Sequence, residues 1–272
     1  MASSRRLTRA FLNERLVPEL EADTVQYFDH VRRYLFAQTW VWQKEVLDIA
    51  CGTGYGSALL WRGGARNVLS LDLSAAALRY AAGRWKGLTL AQGDAAHLPL
   101  AAESREVVVS FETLEHLPTP HAFLAEARRV LVADGVFILS TPNRAIASPN
   151  SATPFSPYHT FEPLEDELRT LLSETGWRID QMYGMRRSAR IPPPPAPTER
   201  GSIVKDTRIA WGAYARRWLR AWLPPAFYTW LGRVRGIPAL DMADTLITES
   251  TEGAAYFLVV ARKMPSPYKA IG

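Results

Sequence analysis

The chain has 272 residues, of which 47% are hydrophobic and 22% charged. That balance excludes a disordered or fibrous chain and suits one large domain or one domain with an appendage. Its single cysteine, Cys51, excludes an internal disulfide framework and a multi-cysteine zinc site. No apolar run is long enough to span a bilayer. The start, Met1-Ala-Ser-Ser-Arg-Arg, lacks the apolar stretch of a secretory signal, so a cytoplasmic protein is expected. The net charge of +5 is unevenly spread, with eight Lys/Arg and one acid, Asp206, between Arg200 and Arg235. Such a patch suits a membrane surface, a nucleic acid or an anionic substrate; it equally suits an ordinary solvated helical face.

In chain order, residues 1–44 read as a helical segment, with Leu16, Leu20, Tyr27, Val31, Tyr34 and Leu35 at helical spacing. Strands and helices then alternate. Strands are expected from Glu45, Asn67, Leu88, Glu106, Val136 and Trp177, and a seventh from Tyr256. Helices are expected at 58–61, at 75–84 behind the N-cap Ser74, from Pro120 to a stop at Asp134-Gly135, and from Pro163 to Gly176. This alternation defines an α/β core over 45–191 built on a mostly parallel sheet, completed by a last strand and tail at 253–272. Residues 192–252 break the rhythm. They open on Ile191-Pro-Pro-Pro-Pro and continue with Trp211, Trp218, Trp222 and Trp230 among arginines. They read as a helical insertion that caps the sheet over the substrate.

Val46-Leu-Asp-Ile-Ala-Cys-Gly-Thr-Gly-Tyr-Gly lies where the first strand turns into the first helix. Gly52, Gly54 and Gly56 permit a tight turn and close approach of backbone to a ligand. Asp48 at the strand's end repels phosphate but suits an ammonium group. Asp72 ends the second strand, where a carboxylate takes two ribose hydroxyls. Asp94 follows the third strand and suits an adenine amino group, with the Ala95 N–H beside the ring. Three acids after three successive strands thus match three parts of one ligand.

On these residues the chain from about Tyr27 to Tyr183, with the last strand, resembles the class I S-adenosylmethionine (SAM)-dependent methyltransferases. Asp48-Ile-Ala-Cys-Gly-Thr-Gly is similar to their first motif, and Asp72 and Asp94 to the second and third. The resemblance implies a doubly wound seven-stranded sheet of order 3-2-1-4-5-7-6 with strand 7 antiparallel. It implies SAM as cofactor, held by Asp48, Ala50, Gly52, Gly54, Asp72, Leu73, Asp94, Ala95 and Phe111. A nicotinamide dehydrogenase also uses a Gly-rich turn, but Asp48 and Asp94 argue against one.

Methyl transfer needs an aimed nucleophile and, for a hydroxyl, a group that takes its proton. Candidates follow the fourth and fifth strands: Phe111-Glu112-Thr-Leu-Glu115-His116, and Pro157-Tyr-His159-Thr-Phe-Glu162. In one reading His116 or His159 is the catalytic base. In the other, Glu112, Glu115, His116 and His159 hold Mg²⁺ or Mn²⁺, which orients neighbouring hydroxyls. The second resembles metal-dependent small-RNA 2′-O-methyltransferases and ubiquinone-pathway O-methyltransferases, which carry E-x-x-E-H. The His159–Glu162 stretch also resembles bacterial sugar methyltransferases of glycan and antibiotic pathways. The expected acceptor is therefore a hydroxyl of a sugar or polyhydroxylated metabolite. An RNA ribose, a quinone precursor and a nitrogen acceptor stand as alternatives, and a SAM-binding regulatory protein as the non-enzyme. No appended nucleic-acid-binding module is evident. Peripheral membrane contact is assigned to the basic, Trp-rich insertion, and nothing fixes the oligomeric state.

Overall fold

The computed structural model describes residues 16–18, 24–189 and 242–264. Eight strands among them form one sheet: β1 (Glu45–Ile49), β2 (Asn67–Asp72), β3 (Thr89–Gln92), β4 (Arg105–Phe111), β5 (Leu131–Pro142), β6 (Trp177–Arg187), β7 (Thr245–Thr248) and β8 (Tyr256–Lys263). Their order is β3-β2-β1-β4-β5-β8-β6-β7. Strands β1 to β5 run parallel, and β8 is antiparallel to both β5 and β6. The expected order is therefore present, with β8 in the seventh strand's place.

Two expectations are corrected. First, β7 extends the edge beside β6 and lies inside 192–252, which the sequence suggested was helical. The Trp-rich part of that stretch lies outside the described residues. Second, Asp134-Gly135 does not stop a helix. The helix ends at Val130, and Leu131 already pairs with Arg105. The register then jumps, because Val107 pairs with Val136, so the intervening residues bulge out of the strand.

Helices cover both faces: α1 (Val25–Ala37), α2 (Tyr55–Arg62), α3 (Ala75–Arg84), α4 (Pro120–Val130), α5 (Arg144–Ala147) and α6 (Glu165–Glu174). Successive side chains of a strand point to opposite faces. Leu47, Ile49 and Val108 accordingly join Phe123, Leu124, Leu168 and Trp177 under α4 and α6. Val46, Val107 and Val109 join Tyr34, Ala37 and Leu60 under α1 and α2. Fully burying each large side chain of this kind contributes about 1.5–3 kcal/mol. The same alternation sends Asp48, between Leu47 and Ile49, toward α1 and α2. It is buried there at the C-terminal edge of the sheet, where doubly wound folds bind ligands.

Candidate active site

Asp48 is 0% exposed, and its partners are neutral hydroxyls. Ser57 on α2 donates to Oδ2 at 2.6 Å, and Tyr34 on α1 donates to Oδ1 at 3.3 Å. Burial pushes the Asp48 carboxyl up to about 7 against these two hydrogen bonds, and the Asp72 charge adds to the rise. A buried carboxylate supported only by hydroxyls is one that an arriving cation stabilises. Tyr34 in turn explains Gly56: a Cβ there would fall inside the Tyr34 ring. Gly54 has φ +76°, and a Cβ would meet Ala81 Cβ at 2.8 Å.

Gly52 differs, since nothing lies within 4 Å of the Cβ it lacks. Its N–H donates to Asp72 Oδ2 at 2.8 Å. Asp72 Oδ1 accepts from Ser74 N at 2.8 Å, so this carboxylate ties the first loop to the second. A carboxylate has about four lone-pair positions, which leaves acceptor capacity for hydroxyls. Leu73 beside it is 68% exposed, an apolar surface fit for a flat ring. The third loop is joined through Gly93 N, which donates to the Asp72 carbonyl at 3.2 Å. Asp94 Oδ1 accepts from Ala96 N at 2.9 Å, and Ala95 is buried next to it. Phe111 ends β4 and meets the Tyr34 ring edge-on at 4.9 Å. Ala50 follows β1 at φ +61°, a left-handed conformation that strains a residue with a Cβ. Cys51 is a buried thiol in the same turn.

These residues fit SAM on two observations: a buried carboxylate, Asp48, without a cationic partner among the described residues, and an open space at Gly52 where its backbone meets Asp72. Asp48 would hold the ammonium, Asp72 the ribose hydroxyls, and Leu73, Asp94 and Ala95 the adenine.

The reacting end divides the expected metal set. Glu112, at φ +52°, accepts from Ser140 Oγ at 2.9 Å and lies 3.3 Å from Arg33 Nη2. Arg33 is fully buried on α1, with its guanidinium 4.3 Å from the centre of the Tyr256 ring. Burial alone would lower the Arg33 pKa, but Glu112 leads the groups that outweigh it and keep the side chain charged. Glu112 thus faces an arginine, and it is not among the three groups whose ligand atoms come together.

Glu115, His116 and His159 do come together, with one ligand atom from each within 4.8 Å of the others. Glu115 is 1% exposed on a single 3₁₀ turn, Leu114–His116. Its Oε2 accepts from Thr141 Oγ1 at 3.1 Å, while its Oε1 has no hydrogen bond. Burial, then the Glu112 charge, pushes the Glu115 carboxyl well above the usual carboxylate range. The two imidazole rings meet at 4.9 Å, nearly perpendicular. Thr160 holds the loops together by donating from N and Oγ1 to the Glu115 carbonyl at 2.7 and 3.0 Å.

Sequence reasoning missed five polar residues here, among them Asp29, whose charge helps to keep Arg33 protonated. Tyr34 was visible only as part of an apolar stripe. Arg33 and Asp29 are spaced i, i+4, so they share one helix face, and that was the available signal. Glu162 reads from the sequence only as part of a loop, and Ser148 carries no signal there.

A doubly wound sheet with acids closing its first three strands and a glycine cradle between them defines a SAM-binding enzyme fold. The comparisons agree. A family model described as a methyltransferase domain matches residues 47–139. A protein of Mycolicibacterium smegmatis, named as a probable S-adenosylmethionine-dependent methyltransferase, is 35% identical over 178 residues, covering 65% of this chain and 69% of that protein. A phthiotriol/phenolphthiotriol dimycocerosates methyltransferase of Mycobacterium tuberculosis is 36% identical over 110 residues, 39% of this chain and 41% of that one. A SAM-dependent methyltransferase from Thermotoga maritima shares the fold with a TM-score of 0.57 at 16% identity, covering 88% of this chain and 91% of that one. The chain belongs to the SAM-dependent methyltransferases.

Proposed function

We propose that the protein methylates a hydroxyl of a small polyhydroxylated acceptor, a sugar or related metabolite, with His159 as proton acceptor. The observation that carries this reading is the pair of imidazoles, His116 beyond β4 and His159 beyond β5, beside a buried carboxyl. A relative whose name carries a triol agrees with an oxygen acceptor. When bound, SAM supplies an electrophilic methyl on a positively charged sulfur. The protein's own task is to orient and to move one proton. Asp48 holds the cofactor's ammonium end and Asp72 its ribose, and His159 takes the proton as the hydroxyl oxygen attacks. His159→Ala is expected to lower kcat by about 10²–10⁴-fold with the SAM Kd unchanged. Unchanged kcat in that variant would overturn the assignment.

A second reading rests on the bare Glu115 Oε1. One carboxylate and two imidazoles form a donor set that suits a divalent cation such as Mn²⁺ or Mg²⁺. Glu115, His116 and His159 would hold it, and it would polarise the acceptor hydroxyl. This reading predicts activity lost in EDTA and restored by Mn²⁺, with Mn²⁺ binding kept in Glu112→Gln and lost in Glu115→Gln. EDTA resistance would leave the metal-free route.

A further inference from the structure

We propose that Glu162 is the positioning residue of this site. It locks the His159 ring in the tautomer that carries the proton on Nδ1 and presents the Nε2 lone pair for reaction. This rests on the reading of His159 as proton acceptor.

The argument starts from which atoms can donate. Glu162 lies one loop beyond α5, in the His159-Thr-Phe-Glu stretch, and is 2% exposed. Its Oε1 is 2.6 Å from His159 Nδ1, and its Oε2 accepts from Ser148 Oγ at 2.6 Å. Ser148 is itself fixed, since Oγ accepts from Phe155 N at 2.8 Å and therefore turns its proton toward Glu162. Oε2 is occupied by the Ser148 hydroxyl, so Oε1 is the oxygen that meets His159 Nδ1. An ionised carboxylate only accepts. The proton between Glu162 and His159 therefore sits on Nδ1, and the neutral ring's lone pair sits on Nε2.

His116 shows the same logic with a weaker partner. Its Nδ1 is 3.0 Å from the Tyr158 carbonyl, which also only accepts. The Nδ1 partner is a backbone carbonyl for His116 and a carboxylate for His159. Loop 143–162 is thus more than a connection. Ser148 and Glu162 fix the ring's angle and its tautomer from behind, as carboxylates do for reactive histidines generally.

The test reads the tautomer directly. Long-range ¹H–¹⁵N correlation spectra of the full chain, recorded above the imidazole titration range and assigned with His159→Ala, are expected to show His159 protonated on Nδ1. Protonation on Nε2 would overturn the proposal. In Glu162→Gln the Nδ1-protonated share should fall, and kcat should drop about 10–100-fold with KM changed less than threefold. A Glu162→Gln protein that folds, binds SAM normally and keeps both kcat and the tautomer would also overturn it. Should Glu162→Gln not fold, Ser148→Ala frees the carboxylate with a smaller loss, and a smaller shift of the same tautomer signal is expected there. No shift in Ser148→Ala would overturn the proposal. The tautomer is read without an acceptor, so failure to methylate any hydroxyl would sink the functional reading and leave this measurement standing.

Discussion

Asp48→Asn separates what the cofactor site does for binding from what it does to stability. The folded Asp48 carboxyl sits at about 7, against an ordinary value of 3.8. The native state therefore keeps a proton that the unfolded chain releases. Its contribution to stability is fully present below about 3.8, declines as pH rises, and is gone once pH passes about 7. A difference of roughly three pKa units corresponds to about 4 kcal/mol, a large share of the 5–15 kcal/mol that hold a typical domain together. Asparagine carries no such term, yet it can still bond with the Ser57 and Tyr34 hydroxyls. In ligand-free protein the wild type should lose stability more steeply than Asp48→Asn between about pH 4 and pH 7, because the buried Glu115 carboxyl contributes equally to both profiles, and Asp48→Asn should be the more stable of the two at pH 8. Urea unfolding across that range measures both profiles. SAM affinity should move the other way. Losing one charge-assisted hydrogen bond costs about 1.5–3 kcal/mol, or roughly 10–150-fold in Kd by titration calorimetry. At pH 6 the wild type should also release a proton on binding, seen by comparing buffers of different ionisation enthalpy. Parallel pH–stability profiles for the two proteins, or equal SAM affinity, would refute the reasoning.

Two further outcomes follow from packing and charge. Gly56→Ala drives a methyl into the Tyr34 ring, so it should destabilise by about 1–3 kcal/mol and weaken SAM binding through Asp48; Gly56→Ala in a Tyr34→Ala background should lose much less, as read from urea midpoints. Arg33→Met leaves Glu112 without its buried cation and should cost about 3–5 kcal/mol, whereas adding Glu112→Gln should recover much of that; a double variant no more stable than Arg33→Met would contradict the pairing.

The cofactor half of the site was legible because its chemistry lies in short, local strings. Asp48 and Asp72 lie at the ends of strands whose apolar pattern marks them, Asp94 follows the third strand, and the parallel topology brings these strand ends together. Helix α3 was equally plain, since Ser74 caps it as its sequence suggests, accepting from Ala77 N at 3.3 Å. The reacting half was less legible because its partners come from separate elements. Glu112 reads as one of three ligands in E-x-x-E-H, but its carboxylate faces Arg33 from a helix far back in the chain. Nothing local to residue 112 announces that. Glu162 and Ser148 meet only because loop 143–162 folds back on itself. The bulge after Leu131 was hidden for a related reason: Asp134-Gly135 has turn chemistry, and only pairing with β4 makes it part of a strand. Edge strand β7 is four residues long and depends on β6 for its pairing, so its sequence carries little signal of its own.

The central claim is methyl transfer to oxygen. Incubating the protein with SAM carrying a ¹³C-labelled methyl and a panel of sugars, polyols and amines, then recording product spectra, tests it most directly. The account predicts label in the O-methyl region with hydroxylated acceptors, and its loss in His159→Ala. Label appearing on amines alone, or O-methyl product undiminished in His159→Ala, would contradict it.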